Sequence, residues 1–219
     1  MKILNKIFII FCLIATLTGC SNSTSPDSIE SYKDIQEALM NMQSYISNVE
    51  ITYISNKGQN NYSVLQSIRK DGKYIFETTA PQDLVGSIII YDGSLIWQYN
   101  PHNQEKEKIS VADKEKLERQ QINIFTFLEN HLTSKDITVE TSSIDENVYT
   151  ILEAVIPSDN TYFSTEKLWL NNKTNMPEKL IIYDKEEQER VIVEFKDFIY
   201  NPQLDDNLFS IENLNQNNN

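Results

Sequence analysis

Apolar residues along this chain change their spacing several times, and each change marks a different kind of element. Tyr32, Ile35, Leu39, Met42 and Ile46 recur at three or four residues, one stripe of a helix whose start Asp27 or Ser28 is placed to cap. Glu30 and Asp34 suit the positive end of its dipole. Its polar face carries Glu30, Glu37 and Asn41 with Lys33 as the compensating cation, which fits packing on a sheet better than lying on a membrane surface. From Val49 to Val111 the spacing falls to two, punctuated by Asn56-Lys57-Gly58, Asp71-Gly72 and Asp92-Gly93, which tolerate the positive φ of tight hairpins. Ser63–Ile68 and Tyr74–Glu77 flank the first Asp-Gly pair, and Ser87–Tyr91 and Leu95–Tyr99 flank the second. Hairpins joined in this way make an antiparallel meander, because each strand returns beside its predecessor.

Helical spacing returns between Ala112 and Thr133, with Leu117, Phe125, Leu128 and Leu132 on one face and Ile124 and Phe127 widening it. One helix, or two short ones, is predicted to lie over the sheet or close its mouth. Strands resume at Ile137–Glu140, Val148–Ile156, Phe163–Leu170, Glu178–Tyr183 and Arg190–Phe198. In the last, Val191, Val193 and Phe195 alternate with Ile192, Glu194 and Lys196, the pattern of a strand with one solvated face. No repeat or linker divides this order, so residues 28–212 are expected to form a single domain of the α+β class. A sheet of this many antiparallel strands must curl, and helices covering its hollow side would make an open half barrel with an apolar interior.

The two ends read differently. Lys2 and Lys6 precede the apolar run Ile7–Ala15, a charged region and short hydrophobic core that mark residues 1–19 as a secretion signal. Leu17-Thr18-Gly19-Cys20 then resembles the bacterial lipobox, in which the Cys becomes a diacylated N-terminus. Two acyl chains, at about 0.8 kcal/mol per buried methylene, give stable anchoring without a membrane span. Residues 20–27 are the lipidated Cys and a small polar tether, and residues 213–219 an Asn-rich tail expected to be disordered. Cys12 leaves with the signal, so Cys20 has no disulfide partner.

Charge narrows the possible partners. Removing Lys2 and Lys6 from 19 basic residues and setting the remainder against 32 acidic ones leaves a mature net charge of −15. With no basic cluster, binding to nucleic acid is excluded, since it depends on releasing phosphate counterions to Lys and Arg. Five Gly and two His in the whole chain supply neither phosphate-cradling loops nor a multi-histidine metal site. His102 stands in a turn context after Pro101, and His131 near a helix C-terminus where a cation is favoured, so both read as surface or capping residues. The acidic pairs Asp145-Glu146, Glu186-Glu187 and Asp205-Asp206 lie in turn-like sequence and read as solvated loops, not as carboxylates facing each other across a cleft. There is no Gly-x-Ser-x-Gly elbow and no mature Cys beyond the lipidated one. The chain is therefore expected to be a binding protein without catalytic residues, metal or cofactor. Its aromatic residues, Trp97, Tyr99 and Trp169 in the strands with Phe125 and Phe127 in the second helix, are core by the plain reading. By the sharper one they line an acyl-binding cavity or form hot spots for a protein partner.

Several segments together resemble the LolA/LolB-like lipoprotein-carrier superfamily. They are the N-terminal helix running into Val49-Glu50-Ile51-Thr52-Tyr53, then Tyr91-Asp92-Gly93-Ser94-Leu95-Ile96-Trp97-Gln98-Tyr99-Asn100-Pro101, then Leu168-Trp169-Leu170-Asn171-Asn172-Lys173-Thr174-Asn175-Met176-Pro177, and finally Phe195-Lys196-Asp197-Phe198 and Phe209-Ser210-Ile211. The resemblance implies a curled sheet of about eleven strands covered by helices. A soluble periplasmic carrier is not lipidated, so the lipobox and the Ile, Lys and Asn-rich composition direct the comparison to lipidated Gram-positive members, above all the clostridial spore-germination lipoproteins. That resemblance implies a non-enzymatic partner that binds and activates a cortex N-acetylmuramoyl-L-alanine amidase, so that muramic-δ-lactam forms in cortex peptidoglycan and the spore can germinate. It also implies an anchor on the extracytoplasmic face of a membrane of the spore envelope. The superfamily's other role, carrying or sensing lipids or lipoproteins in the cavity, is the alternative. A detachable first helix and an open strand edge further suggest a homodimer formed by segment swapping.

Overall fold

Two meanders meet along their first and last strands. In the computed structural model, which describes residues 26–109, 122–135, 138–157 and 161–212, eleven strands form one open antiparallel sheet in the order β6-β5-β4-β3-β2-β1-β11-β10-β9-β8-β7. The first half contains α1 (Pro26–Asn41), β1 (Ser44–Ser55), β2 (Gly58–Arg69), β3 (Tyr74–Ala80), β4 (Ile88–Tyr91), β5 (Ile96–Asn100) and β6 (Glu105–Ile109). The second contains α2 (Ile124–Thr133), β7 (Val139–Ile144), β8 (Asn147–Val155), β9 (Thr165–Asn171), β10 (Met176–Tyr183) and β11 (Glu189–Tyr200). This is the half barrel of about eleven strands that the sequence resemblance implies. The three Gly-bearing turns fall where the sequence places them, and Gly72 and Gly93 take φ of 92° and 98°, a region closed to most side chains.

The core fills the concave side. Val49 faces Phe195, Ile51 faces Val193 and Tyr53 faces Val191 across the β1–β11 seam. Leu180 and Leu168 extend the same layer, and Ile35 and Leu39 of α1 with Ile124 and Phe127 of α2 close over it. A bulge in β11 at Asp197, φ 50°, restores the alternation, so that Phe195 and Phe198 both reach Tyr45, at ring separations of 6.5 and 5.2 Å. Tyr200 Oη donates to the Ala38 carbonyl at 2.7 Å and ties α1 to β11.

Three sequence expectations change here. The first helix ends at Asn41 instead of continuing through Met42 and Ile46, because the Gln43 and Ser44 amides are taken by Asn201 Oδ1 at 2.6 and 3.3 Å. Ile46 then lies on β1. In α2 the buried residues are Ile124, Phe127 and His131, while Leu132 is 63% exposed and Phe125 and Leu128 are half-buried. Leu117 lies outside the described residues. The strand expected over 137–140 is longer and later, Val139–Ile144, because its hairpin turns at Asp145, φ 52°, and Glu146. Cys20, the signal and the C-terminal tail also lie outside the described residues.

The convex side of the first half is covered by the chain's C-terminal stretch. Arg69 donates to the Leu204 carbonyl at 3.3 Å and pairs with Asp206 at 2.6 Å, Lys73 reaches the same carboxylate at 2.9 Å, and Lys106 donates to the Ile211 carbonyl at 2.9 Å. Asp205 accepts from the Asn207 amide and starts a short 3-10 turn, Asp206–Phe209, that carries a fully buried Phe209 with the Arg69 guanidinium 5.4 Å from its ring centre. The Asp205-Asp206 pair, expected to be a solvated loop, is exposed but fastens this strap, because two cations on β2 and in the β2–β3 turn converge on it.

Candidate functional site

The hollow of the first half is an open apolar cavity of about 600 Å³. Ile51, Tyr53, Tyr62, Val64, Phe76 and Ile89 form much of its wall, with Phe163 from the second half, and Asn60, Gln66 and Gln98 add amides. The register explains the lining: Ile51 faces Tyr62, Gln66 faces Phe76, Phe76 faces Ile89 and Ile89 faces Gln98, so these side chains share one face. A cavity of this size with a few convergent polar groups has the dimensions of a small-ligand site.

The strand aromatics singled out from the sequence do not line it. Trp97 faces Ile90 and Tyr99 faces Ile88, one residue out of phase with the Ile89–Gln98 pair, and both therefore project from the convex side. Trp169 faces Ile151 and Lys179 on the convex side of the second half, and the Lys179 ammonium stands 5.7 Å from its ring centre. Tyr149 meets its edge at 5.9 Å. Phe127 is wholly buried core, and Phe125, 5.9 Å from Tyr45, lies in a second groove of about 280 Å³ between α1 and α2 with Leu39, Met40, Leu128 and Leu132.

A buried polar network holds the start of α2. Tyr45 Oη donates to Gln66 Oε1 at 2.8 Å and accepts from the Ile124 amide at 3.4 Å, while Gln66 Nε2 donates to the Ile122 carbonyl at 3.1 Å. Asn123 caps the helix by accepting from the Thr126 amide. Burial holds the Tyr45 phenol protonated far above its usual range, which keeps it a donor.

Two buried acids escaped the sequence reading. Glu166, 4% exposed, faces Ala154 and Ile182 on the concave side and accepts from Asn130 Nδ2 of α2 at 2.7 Å. Burial pushes its carboxyl up to about 7, with the Asn130 bond opposing. In Thr165-Glu166-Lys167 it looks like surface; the signal lies in its phase, shared with Leu168 and Leu170. Asp184, 3% exposed, keeps a carboxyl below its usual range: burial acts upward, but the Gln188 amide, the Arg190 guanidinium and the Glu186 amide outweigh it. It organises the β10–β11 turn. His131, expected as a surface or capping residue near the helix end, lies in the last turn of α2 but is 6% exposed, stacks 5.6 Å from Phe127 and donates from Nδ1 to the Glu153 carbonyl at 2.7 Å. His102 is exposed in its turn as expected and bonds the Asp83 carbonyl. Among the described residues, no three His, Cys, Asp or Glu are grouped to hold a metal ion, and no helix is long and apolar enough to cross a membrane.

The two sheet edges differ. β6 is Glu105-Lys106-Glu107-Lys108-Ile109, whose alternating charges discourage a further strand. β7 is Val139-Glu140-Thr141-Ser142-Ser143-Ile144, with one charge, and Val139, Ile144, Val148 and Val155 stand exposed on it and on β8.

A family profile described as Sporulation protein YdcC-like matches residues 1–209. No curated protein matches the sequence. Among solved structures, the GerS lipoprotein in complex with the CwlD amidase from Clostridioides difficile is 29% identical, covering 82% of this chain and 98% of that one at a TM-score of 0.49. An uncharacterized conserved protein from Thermus thermophilus, 11% identical, covers 82% and 92% at a TM-score of 0.52 and shares the fold. A LolA superfamily protein from Nitrosomonas europaea, 15% identical, covers 82% and 97% at a TM-score of 0.42.

Proposed function

Because the chain belongs to the sporulation protein YdcC-like family, we propose that it is a non-catalytic lipoprotein that binds and activates a cortex N-acetylmuramoyl-L-alanine amidase, and is thereby needed for muramic-δ-lactam formation and spore germination. The family membership carries the sporulation part of this reading. The amidase comes from the resemblance of the lipidated chain as a whole to spore-germination lipoproteins, and a CwlD-type enzyme is the one to try first. The lipobox at Cys20 supports an anchor on the outer face of a membrane of the spore envelope. The β7 edge is the contact that geometry favours, since a strand with a single charge offers unpaired backbone groups to an extended segment of the partner.

The second reading, a carrier or sensor of lipids or lipoproteins, is favoured by the 600 Å³ apolar cavity. One experiment separates the two. The domain without lipidated Cys20 is used as bait in extracts of sporulating cells, and both bound proteins and extracted lipid are identified by mass spectrometry. An amidase at near-stoichiometric yield, whose activity rises on mixing, supports the activator. Acyl lipid without a protein partner supports the carrier. Light scattering on the same sample tests the segment-swapped homodimer, which a monomeric mass at micromolar concentration removes.

A further inference from the structure

Helix α2 is held at its two ends by different chemistry. Its start rests on the Tyr45–Gln66 network, whose groups keep one protonation state across the neutral range. Its end is held by Asn130 on Glu166, by His131 on the Glu153 carbonyl and by Ser134 Oγ, which accepts from the Val155 amide at 3.1 Å. Of these, the Glu166 bond ends on an acid sealed among Ala154 and Ile182.

Among the described residues, no nearby cation steadies that acid. On α2, Glu129 is exposed and His131 is turned to the Glu153 carbonyl. On β8 and β9, Glu153 and Lys167 lie on the opposite face, where Lys167 pairs with Glu153 at 3.5 Å and Glu140 at 3.3 Å. On β10 and β11, Ile182 faces it, and the nearest charges along those strands, Asp184 and Arg190, are committed to each other. The neutral carboxyl is adequately served by one amide donor; a carboxylate in the same place needs further donors or a cation beside it.

We propose that the burial of a protonated Glu166 beneath α2 is a proton-dependent latch: loss of the Glu166 proton lifts the C-terminal end of α2 from the sheet so that water reaches the carboxylate, while the Tyr45–Gln66 end acts as the hinge. The helix end lies over β8 and reaches β9 through Asn130, and Leu128, His131 and Leu132 line the groove it shares with α1, so the motion changes the width of that groove. The latch stands whether the hollow takes lipid or stays empty.

Hydrogen exchange on the whole domain tests it. With rates corrected for intrinsic base catalysis, opening of the 128–133 amides is expected to rise about 10- to 30-fold from pH 5.5 to pH 8, while β1 and β11 amides stay constant. Glu166→Gln should keep α2 protected and abolish the rise. Asn130→Ala, which removes the donor that favours the carboxylate, should carry the rise on to higher pH. Exchange in α2 that follows β1 at both pH values overturns the latch, as does a rise retained in Glu166→Gln or an unmoved midpoint in Asn130→Ala.

Discussion

The two halves of this sheet bury opposite faces by opposite means. In the first half the convex face is sealed by the C-terminal strap, with Phe209 and Ile90 fully buried, and the concave face is left hollow. In the second half Leu168, Leu170 and Leu180 pack solidly on the concave side beneath α2, and on the convex face, where no strap is seen among the described residues, Trp169 is half-buried beside Ile151, Tyr149 and Lys179. One half thus offers volume and a densely charged edge, and the other a filled interior and an edge with a single charge. A ligand that needs space belongs to the first; a partner that needs backbone hydrogen bonds belongs to the second.

The contrast is broken most severely by Phe127→Ala. This side chain is wholly enclosed under α2, and its loss is expected to destabilise the domain by about 3–5 kcal/mol in urea unfolding. Phe209→Ala strips the strap from the other half and should cost about 3 kcal/mol, with proteolysis opening the chain first after residue 202. Glu166 supplies a pH term of unusual sign. Its folded-state proton is held up to about 7, so folded and unfolded chains are both protonated below about pH 4.5, and stability is lost as pH rises from there through 7. Glu166→Gln should remove roughly 2 kcal/mol of that loss, read as a higher melting temperature than the parent at pH 8 and little difference at pH 4.5. The smallest change in stability, within about 0.5 kcal/mol, is expected for Thr141→Lys with Ser143→Lys, which gives β7 the lysines that β6 carries. If β7 receives the amidase, the same double variant weakens the complex at least about tenfold by calorimetry; unchanged affinity moves the contact elsewhere.

Elements were more legible than faces. Turn dipeptides and a spacing of two locate three of the five hairpins of the first meander, because those signals are local; the β3–β4 and β5–β6 connections carry no such turn signal in the sequence. Trp97 and Tyr99 were not assignable to a side, since Ile88-Ile89-Ile90 opposite them is apolar on both faces and only the register decides. Glu166 shows no sign of burial beyond its phase, and His131 reads as a surface or capping residue, for a related reason: the burial of each comes from the packing of α2 on β8 and β9, elements distant in sequence. The strap hung on Phe209 alone within a polar stretch, a signal too sparse to show that Asp206 would meet Arg69 and Lys73 across more than 130 residues.

The seam between β1 and β11 sets an order on how this chain comes to be. Each half is built from neighbours in sequence, but the strand that begins the sheet waits for the one that ends it, paired from Tyr45–Tyr200 to Tyr53–Val191. During synthesis from the N-terminus, β1 therefore presents a bare, largely apolar edge until nearly the whole domain has emerged, the kind of intermediate that chaperones are needed to shield. A chain cut short before residue 189 retains most of its strands and loses the joint that makes them one sheet.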